Sequence, residues 1–121
     1  DEMPEYLMAS DIGVMLRDDS AVNRVAAPTK LAEYLAAGNS VLASRYPEDA
    51  ASILQQEQLG AVVSYPFSDE TLSAAIRSLL PPPATSWAER LRAHEAAKKY
   101  YSWEAYWPQI MAAYNHLGAS A

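Results

Sequence analysis

Ala26-Ala27-Pro28-Thr29-Lys30-Leu31-Ala32-Glu33-Tyr34-Leu35-Ala36-Ala37-Gly38 is the stretch that decides how this chain folds. It reads as a helix with a start and a stop. Pro28 suits the first helical position, where its missing N–H would be unpaired anyway and its φ is already helical. Gly38 suits the left-handed residue just past the end. Leu31, Leu35 and the alanines supply a narrow, close-packing apolar face. Glu33 is the odd residue: it lies too deep to cap the helix and shares a face with Lys30, three positions earlier. A cation and a carboxylate above a helix N-terminus, just after a loop, are the ingredients of a phosphate-and-ribose site. The same two residues also fit a plain solvated pair, worth about a few tenths of a kcal/mol.

Asp11-Ile12-Gly13-Val14-Met15-Leu16 precedes this helix and contains a continuous apolar run, the mark of a buried parallel strand. A short helix over 4–9, carrying Tyr6, Leu7 and Met8, comes before it. Arg17-Asp18-Asp19-Ser20 ends the strand, and a polar loop through Asn23 and Arg24 leads into the Pro28 helix. After Gly38 the pattern repeats. Ser40-Val41-Leu42-Ala43-Ser44 reads as a second strand, 47–57 as a helix with Ala50, Ile53 and Leu54 inward, and Gly60-Ala61-Val62-Val63-Ser64 as a third strand. Ser68 then N-caps a helix with apolar positions Leu72, Ala75, Ile76, Leu79 and Leu80. This alternation predicts an α/β fold of right-handed βαβ units on a parallel sheet.

Pro81-Pro82-Pro83 stops that helix. Ser86 and Glu89 form a capping box that opens another helix, with Trp87, Leu91 and Ala97 on one side. Ser102 caps a last helix carrying Trp103, Tyr106 or Trp107, Ile110, Tyr114 and Leu117, with a kink expected at Pro108. Residues 118–121 read as a frayed tail. Three strands make a thin sheet with at least one open edge, a pairing hazard in an isolated domain. No strand comes before the first helix. Residues 1–80 are therefore expected to be the second half of a larger Rossmann-like domain, and 84–117 a pair of helices that packs on it or crosses to a missing neighbour.

The 121 residues suffice for one domain or part of one, and a hydrophobic fraction of 50% is ample for a core. The net charge of −6 excludes sequence-independent nucleic-acid binding, which needs a basic face. The absence of cysteine excludes disulfides and thiolate metal sites, and two well-separated histidines make a poor zinc site. No run of about 18 apolar residues occurs that could span a membrane. The acidic start Asp1-Glu2-Met3-Pro4-Glu5 is unlike a signal peptide, so a cytoplasmic location is expected.

In open parallel sheets ligands bind beyond the carboxyl ends of the strands. Those ends are 17–20, 44–46 and 65–67, and the first leads straight to the Pro28 helix. Free N–H groups of its first turn would face a ligand there, Glu33 would accept from vicinal hydroxyls, and Lys30 or Arg24 would answer phosphate charge. Asp18-Asp19 fits a metal or acid–base pair less well than turn chemistry. His94 reads as surface, and His116 as a residue interacting with a helix end. Tyr100, Tyr101, Trp103, Tyr106 and Trp107 either stack on bases or sugars or, the better fit, pack on a neighbouring domain. No Ser/His/Asp grouping and no glycine-rich phosphate loop is found.

Three stretches together resemble family 4 glycosyltransferases of the GT-B type. Residues 4–14, from Pro4-Glu5-Tyr6 to Asp11-Ile12-Gly13-Val14, are similar to that family's helix, Ala-Asp and apolar-strand entry. The 28–38 helix followed by Val41-Leu42-Ala43-Ser44 resembles its donor-site helix and next strand, and Tyr101-Ser102-Trp103-Glu104 its last helix, which crosses to the N-terminal domain. The resemblance implies the latter part of a C-terminal, nucleotide-sugar-binding domain. Glu33 would bind ribose hydroxyls, and backbone amides around Pro28, Thr29 and Lys30 the diphosphate. The family's further glutamate, eight positions before, is Val25 here; Arg24, or Asp18 and Asp19, would have to supply the sugar contact, with Arg17 at the same strand end. Asn39-Ser40 also replaces the family's usual apolar-Pro pair.

The resemblance implies a retaining transfer of sugar from a nucleotide donor to a glycan or lipid-linked acceptor. No metal or other cofactor is expected, and the acceptor side would lie in a missing N-terminal domain. This chain alone is expected to be inactive; membrane attachment of the parent is left open. A non-catalytic α/β nucleotide-binding or protein-interaction module, with homo-oligomer formation through the open sheet edge, is the alternative.

Overall fold

The computed structural model describes residues 2–27, 29–80 and 86–119. The element order is α1 (Met3–Ala9), β1 (Ile12–Met15), α2 (Ala21–Val25), α3 (Thr29–Ala36), β2 (Ser40–Ser44), α4 (Glu48–Glu57), β3 (Gly60–Val63), α5 (Asp69–Ser78), α6 (Trp87–Tyr101) and α7 (Trp103–Ala119). The three strands form one parallel sheet in the order β1-β2-β3, with Val14 opposite Leu42 and Leu42 opposite Ala61. The architecture is α/β, compatible with part of a Rossmann-like fold.

Strand alternation sorts the side chains onto two faces. Met15, Val41 and Ala43 point into the larger core with Leu31 and Leu35 of α3, Ala50 and Leu54 of α4, and Ala93, Ala96 and Ala97 of α6. Leu42 and Val63 point the other way, against Leu79, Leu72 and Ala75 beside α5. All five residues of β2 are buried, as expected of a central strand whose residues are almost continuously apolar. Among the described residues β1 pairs with β2 alone, and Val14 on it is 52% exposed.

Two glycines set the spacing of the α3 layer. A Cβ on Gly13 would stand 2.4 Å from Cγ of Tyr34, so the tyrosine ring lies directly on the β1 backbone. Gly38 has φ of 82°, the left-handed cap that the sequence suggested for α3. The Pro28 start of that helix lies outside the described residues, as do Pro81, Pro82 and Pro83.

Several expectations need correction. The loop through Asn23 and Arg24 is the short helix α2, which Ser20 caps by accepting from the Asn23 N–H. α6 buries its alanines, not Trp87 (78% exposed) or Leu91, because small side chains let it approach α3 closely. On α5, Ile76 and Leu80 are exposed, and only Leu72, Ala75 and Leu79 reach the sheet. α7 continues through Pro108 to Ala119, and Ser120 and Ala121 of the expected tail lie outside the described residues. Among the described residues no helix is long and apolar enough to cross a membrane.

Candidate functional site

The carboxyl end of the sheet is built first from the segment that leaves β1. The Arg17 N–H donates to Ser44 Oγ at 2.9 Å, and Ser44 Oγ donates to the Tyr46 carbonyl at 3.1 Å, so the ends of β1 and β2 are tied together. Asn23 organises the turn between them and α3. Its Oδ1 accepts from Arg17 Nη1 at 3.1 Å, and its Nδ2 donates to the Asp18 carbonyl at 3.2 Å and to Asp18 Oδ1. Asp19 accepts from Arg24 Nε at 2.7 Å, and the Arg24 guanidinium stands 5.0 Å from the centroid of the Tyr46 ring. Asp18 and Asp19 therefore hold the turn. Among the described residues no group of three or more His, Asp or Glu side chains is placed to bind a metal ion.

Beside this turn lies a cleft of about 840 Å³ with three walls. α2 and α3 contribute Arg24, Val25, Thr29 and Glu33; α4 contributes Asp49 and Ser52; the junction of α6 and α7 contributes Tyr100, Tyr101 and Tyr106. The structure thus brings four of the sequence candidates together. Lys30 lies outside the cleft lining, and the Arg17, Asp18 and Asp19 turn forms a separate cluster beside it. Pro28 is outside the described residues.

The spacing of Lys30 and Glu33 allows a helix pair, yet no ion pair joins them. Among the described residues neither side chain has a hydrogen-bond or salt-bridge partner, and both are exposed. The Glu33 carboxylate sits on the cleft wall one helical turn after Thr29, with all its acceptor capacity unused. Asp49 of α4 is in the same condition among the lining residues.

The aromatic cluster was expected to stack on bases or sugars or, the better fit, to pack on a neighbouring domain. The structure divides that cluster: Tyr100, Tyr101 and Tyr106 line the cleft, whereas Trp103 and Trp107 are 75% and 56% exposed on α7. Tyr106 donates its hydroxyl to the Tyr100 carbonyl at 2.7 Å, which fixes its ring. The Tyr100 hydroxyl donates to Glu57 Oε1 at 2.6 Å, beside Lys99 Nζ at 2.7 Å from the same oxygen. Burial pushes the Tyr101 phenol up to about 12, with electrostatic interaction with Tyr106 and Asp49 adding to the effect. Tyr101 is thus a neutral hydrogen-bond donor at ordinary pH.

The amino end of the sheet is arranged differently. Arg90 of α6 donates to the carbonyls of Met8 (3.1 Å), Ala37 (3.3 Å) and Ser10 (2.9 Å), gathering the ends of α1 and α3. His94, expected to be plain surface, has Nδ1 2.8 Å from the Ala36 carbonyl at the end of α3. Neither residue was singled out for this role by the sequence, because the contacts span 53 or more positions. Comparison with protein-family models, with curated proteins and with solved structures finds no match for this chain.

Proposed function

We propose that this chain is the donor-nucleotide half of a retaining glycosyltransferase of the GT-B type, which moves a sugar from a nucleotide donor to a glycan or lipid-linked acceptor. The observation that carries the reading is the unpaired Glu33 carboxylate on the cleft wall, one turn from the start of α3 and beside the carboxyl ends of β1 and β2. Vicinal ribose hydroxyls donate to such a carboxylate. The free N–H groups of the first turn of α3, with Lys30 above them, then meet the diphosphate. As the glycosidic bond to the donor breaks, charge accumulates on the leaving diphosphate, and these fixed donors stabilise it. The acceptor and the rest of the catalytic groups come from an N-terminal domain, so the chain by itself binds the donor without turning it over.

The competing reading is a non-catalytic interaction module. It is favoured by the open edge of β1, with Val14 52% exposed, and by the apolar stripe of α7, where Trp103, Tyr114 and Leu117 are 68–75% exposed. Calorimetric titration of the chain with UDP, GDP and ADP separates the two. The transferase reading expects weak binding of at least one diphosphate that disappears in Glu33→Ala, while the variant's stability stays within about 0.5 kcal/mol because Glu33 makes no contact to lose. Absence of all binding, with oligomers that grow with concentration, would support the interaction module instead.

A further inference from the structure

α7 leaves the domain with an apolar stripe uncovered. It docks on α6, where Tyr106 donates to the Tyr100 carbonyl at 2.7 Å. From 111 to 118 every residue is exposed, so the second half of the helix stands clear of the other described residues. Its sequence is not that of a solvated helix. Trp103, Trp107, Tyr114 and Leu117 expose 56–75% of their surface, and Ile110 between them is half-buried. From Trp103 through Trp107, Ile110 and Tyr114 to Leu117 the spacings alternate between four and three, the period of a helix that packs along its length on another helix.

The composition of α7 narrows what covers that stripe. The helix carries one acid, Glu104, and neither lysine nor arginine. A lipid surface selects helices with a basic polar face, and recognition of a charged protein needs complementary charge; α7 offers neither. The stripe does match itself. In an antiparallel pair with its two-fold axis beside Pro108 and Gln109, Trp103 faces Tyr114 of the second copy and Trp107 faces Ile110, so that the largest rings meet smaller side chains. The same arrangement opposes the two helix dipoles and keeps the Glu104 carboxylates about 14 Å apart along the axis, whereas a parallel pair sets them level. With Tyr106 and Met111 on its flanks, the stripe offers roughly 700 Å² of exposed side-chain surface per copy, close to the ~800 Å² per partner of a specific complex.

We infer that α7 is a dimer interface, which pairs with α7 of a second copy in an antiparallel seam centred on Pro108 and Gln109. The inference goes beyond the nucleotide reading and stands without it, since Trp103, Trp107, Ile110 and Tyr114 do not line the cleft.

The test is sedimentation equilibrium of the 121-residue chain between about 1 and 100 μM, where a monomer–dimer equilibrium is expected. Trp107→Glu and Tyr114→Glu should each weaken the dimer by about a hundredfold or more, as the loss of a central aromatic contact does. Thermal melts at the lowest concentration, where both variants and the parent chain are monomers, verify that the variants fold. Leu117→Cys reports the orientation, because the chain has no cysteine of its own. The antiparallel seam places the two thiols about 25 Å apart along the axis, so mild oxidation should leave that dimer without a disulfide. A chain that stays monomeric to 100 μM overturns the inference and leaves the stripe to a different polypeptide. A dimer that survives both glutamate variants also overturns it, and its loss in Val14→Lys would put the contact at the β1 edge instead. Rapid disulfide formation in Leu117→Cys overturns the antiparallel seam.

Discussion

The two ends of the sheet use their polar groups in opposite ways. At the amino end they are spent on the chain itself: Arg90 joins α6 to the carbonyls that end α1 and α3, and His94 takes the Ala36 carbonyl. Asn39, fully buried there, donates to the Leu7 carbonyl and to Ser10 Oγ, although its Oδ1 has no partner among the described residues. At the carboxyl end, the turn from Arg17 to Arg24 is equally well tied, but Glu33 and Asp49 beside it are left unpaired on the walls of the cleft. Helix C-termini carry carbonyls that a guanidinium can satisfy internally, whereas helix N-termini carry N–H groups suited to an anion from outside. The difference separates an end whose polar groups are mostly tied within the chain from one that leaves two carboxylates unpaired among the described residues.

The sharpest way to break that comparison is Arg90→Ala. It removes a charged donor from three carbonyls at once, together with an ion pair to Asp11 at 3.5 Å. A loss of about 3 kcal/mol is expected, since bonds to a charged group are among the stronger ones and the carbonyls of two helix ends lose their partner. The measurement is the urea midpoint at unchanged slope. Arg90→Lys should recover little, because one ammonium cannot span all three carbonyls as the planar fork does. A loss below about 1 kcal/mol would show that the amino end is not where the chain is fastened.

Gly13→Ala probes the connection between the two ends. The added Cβ would meet three ring atoms of Tyr34 at 2.4–2.7 Å, so α3 or the tyrosine must shift. Overpacking of this kind costs about 1–3 kcal/mol. Because α3 also carries Glu33, the substitution should weaken nucleotide binding as well as stability. Weakened stability with unaltered binding would mean that Tyr34 swings aside and α3 stays in place.

The fold was legible where local signals were strong and agreed with one another. β2 was readable from its run of small and apolar residues, and the end of α3 from Gly38, because both depend on neighbours in sequence. α6 was misread for a physical reason: periodicity weighs Trp87 and Leu91 heavily, whereas the docking with α3 depends on alanines, whose value lies in how closely two helices can approach. Glu33 was readable as a residue without a structural purpose. Asp49 was not, since an acid in a first helical turn already has an ordinary explanation in the helix dipole. Tyr100, Tyr101 and Tyr106 reach the cleft only after α6 has docked on α3, and no local pattern near position 100 encodes that event.

The smallest expected effect concerns the seam by which the tyrosine wall is attached. Glu57, at the end of α4, accepts from Lys99 Nζ and from the Tyr100 hydroxyl. The Lys99 hydrogen bond first, and then that of Tyr100, hold the Glu57 carboxyl below its ordinary range. A carboxylate depressed in the folded state binds fewer protons there than in the unfolded chain. Its stabilising contribution is therefore complete above the ordinary carboxylate range and is lost as pH falls through the depressed value. The group is only partly buried and still reached by water and salt, so the contribution is slight and should shrink further with added salt. Urea midpoints of the chain and of Glu57→Gln, followed from neutral pH into acid, give the difference curve that isolates it. The gap between the two proteins should close on acidification, and Tyr100→Phe should show a narrower gap with the same sign. Curves that stay parallel through the acid limb would place the attachment of the tyrosine wall in the alanine packing of α6 alone.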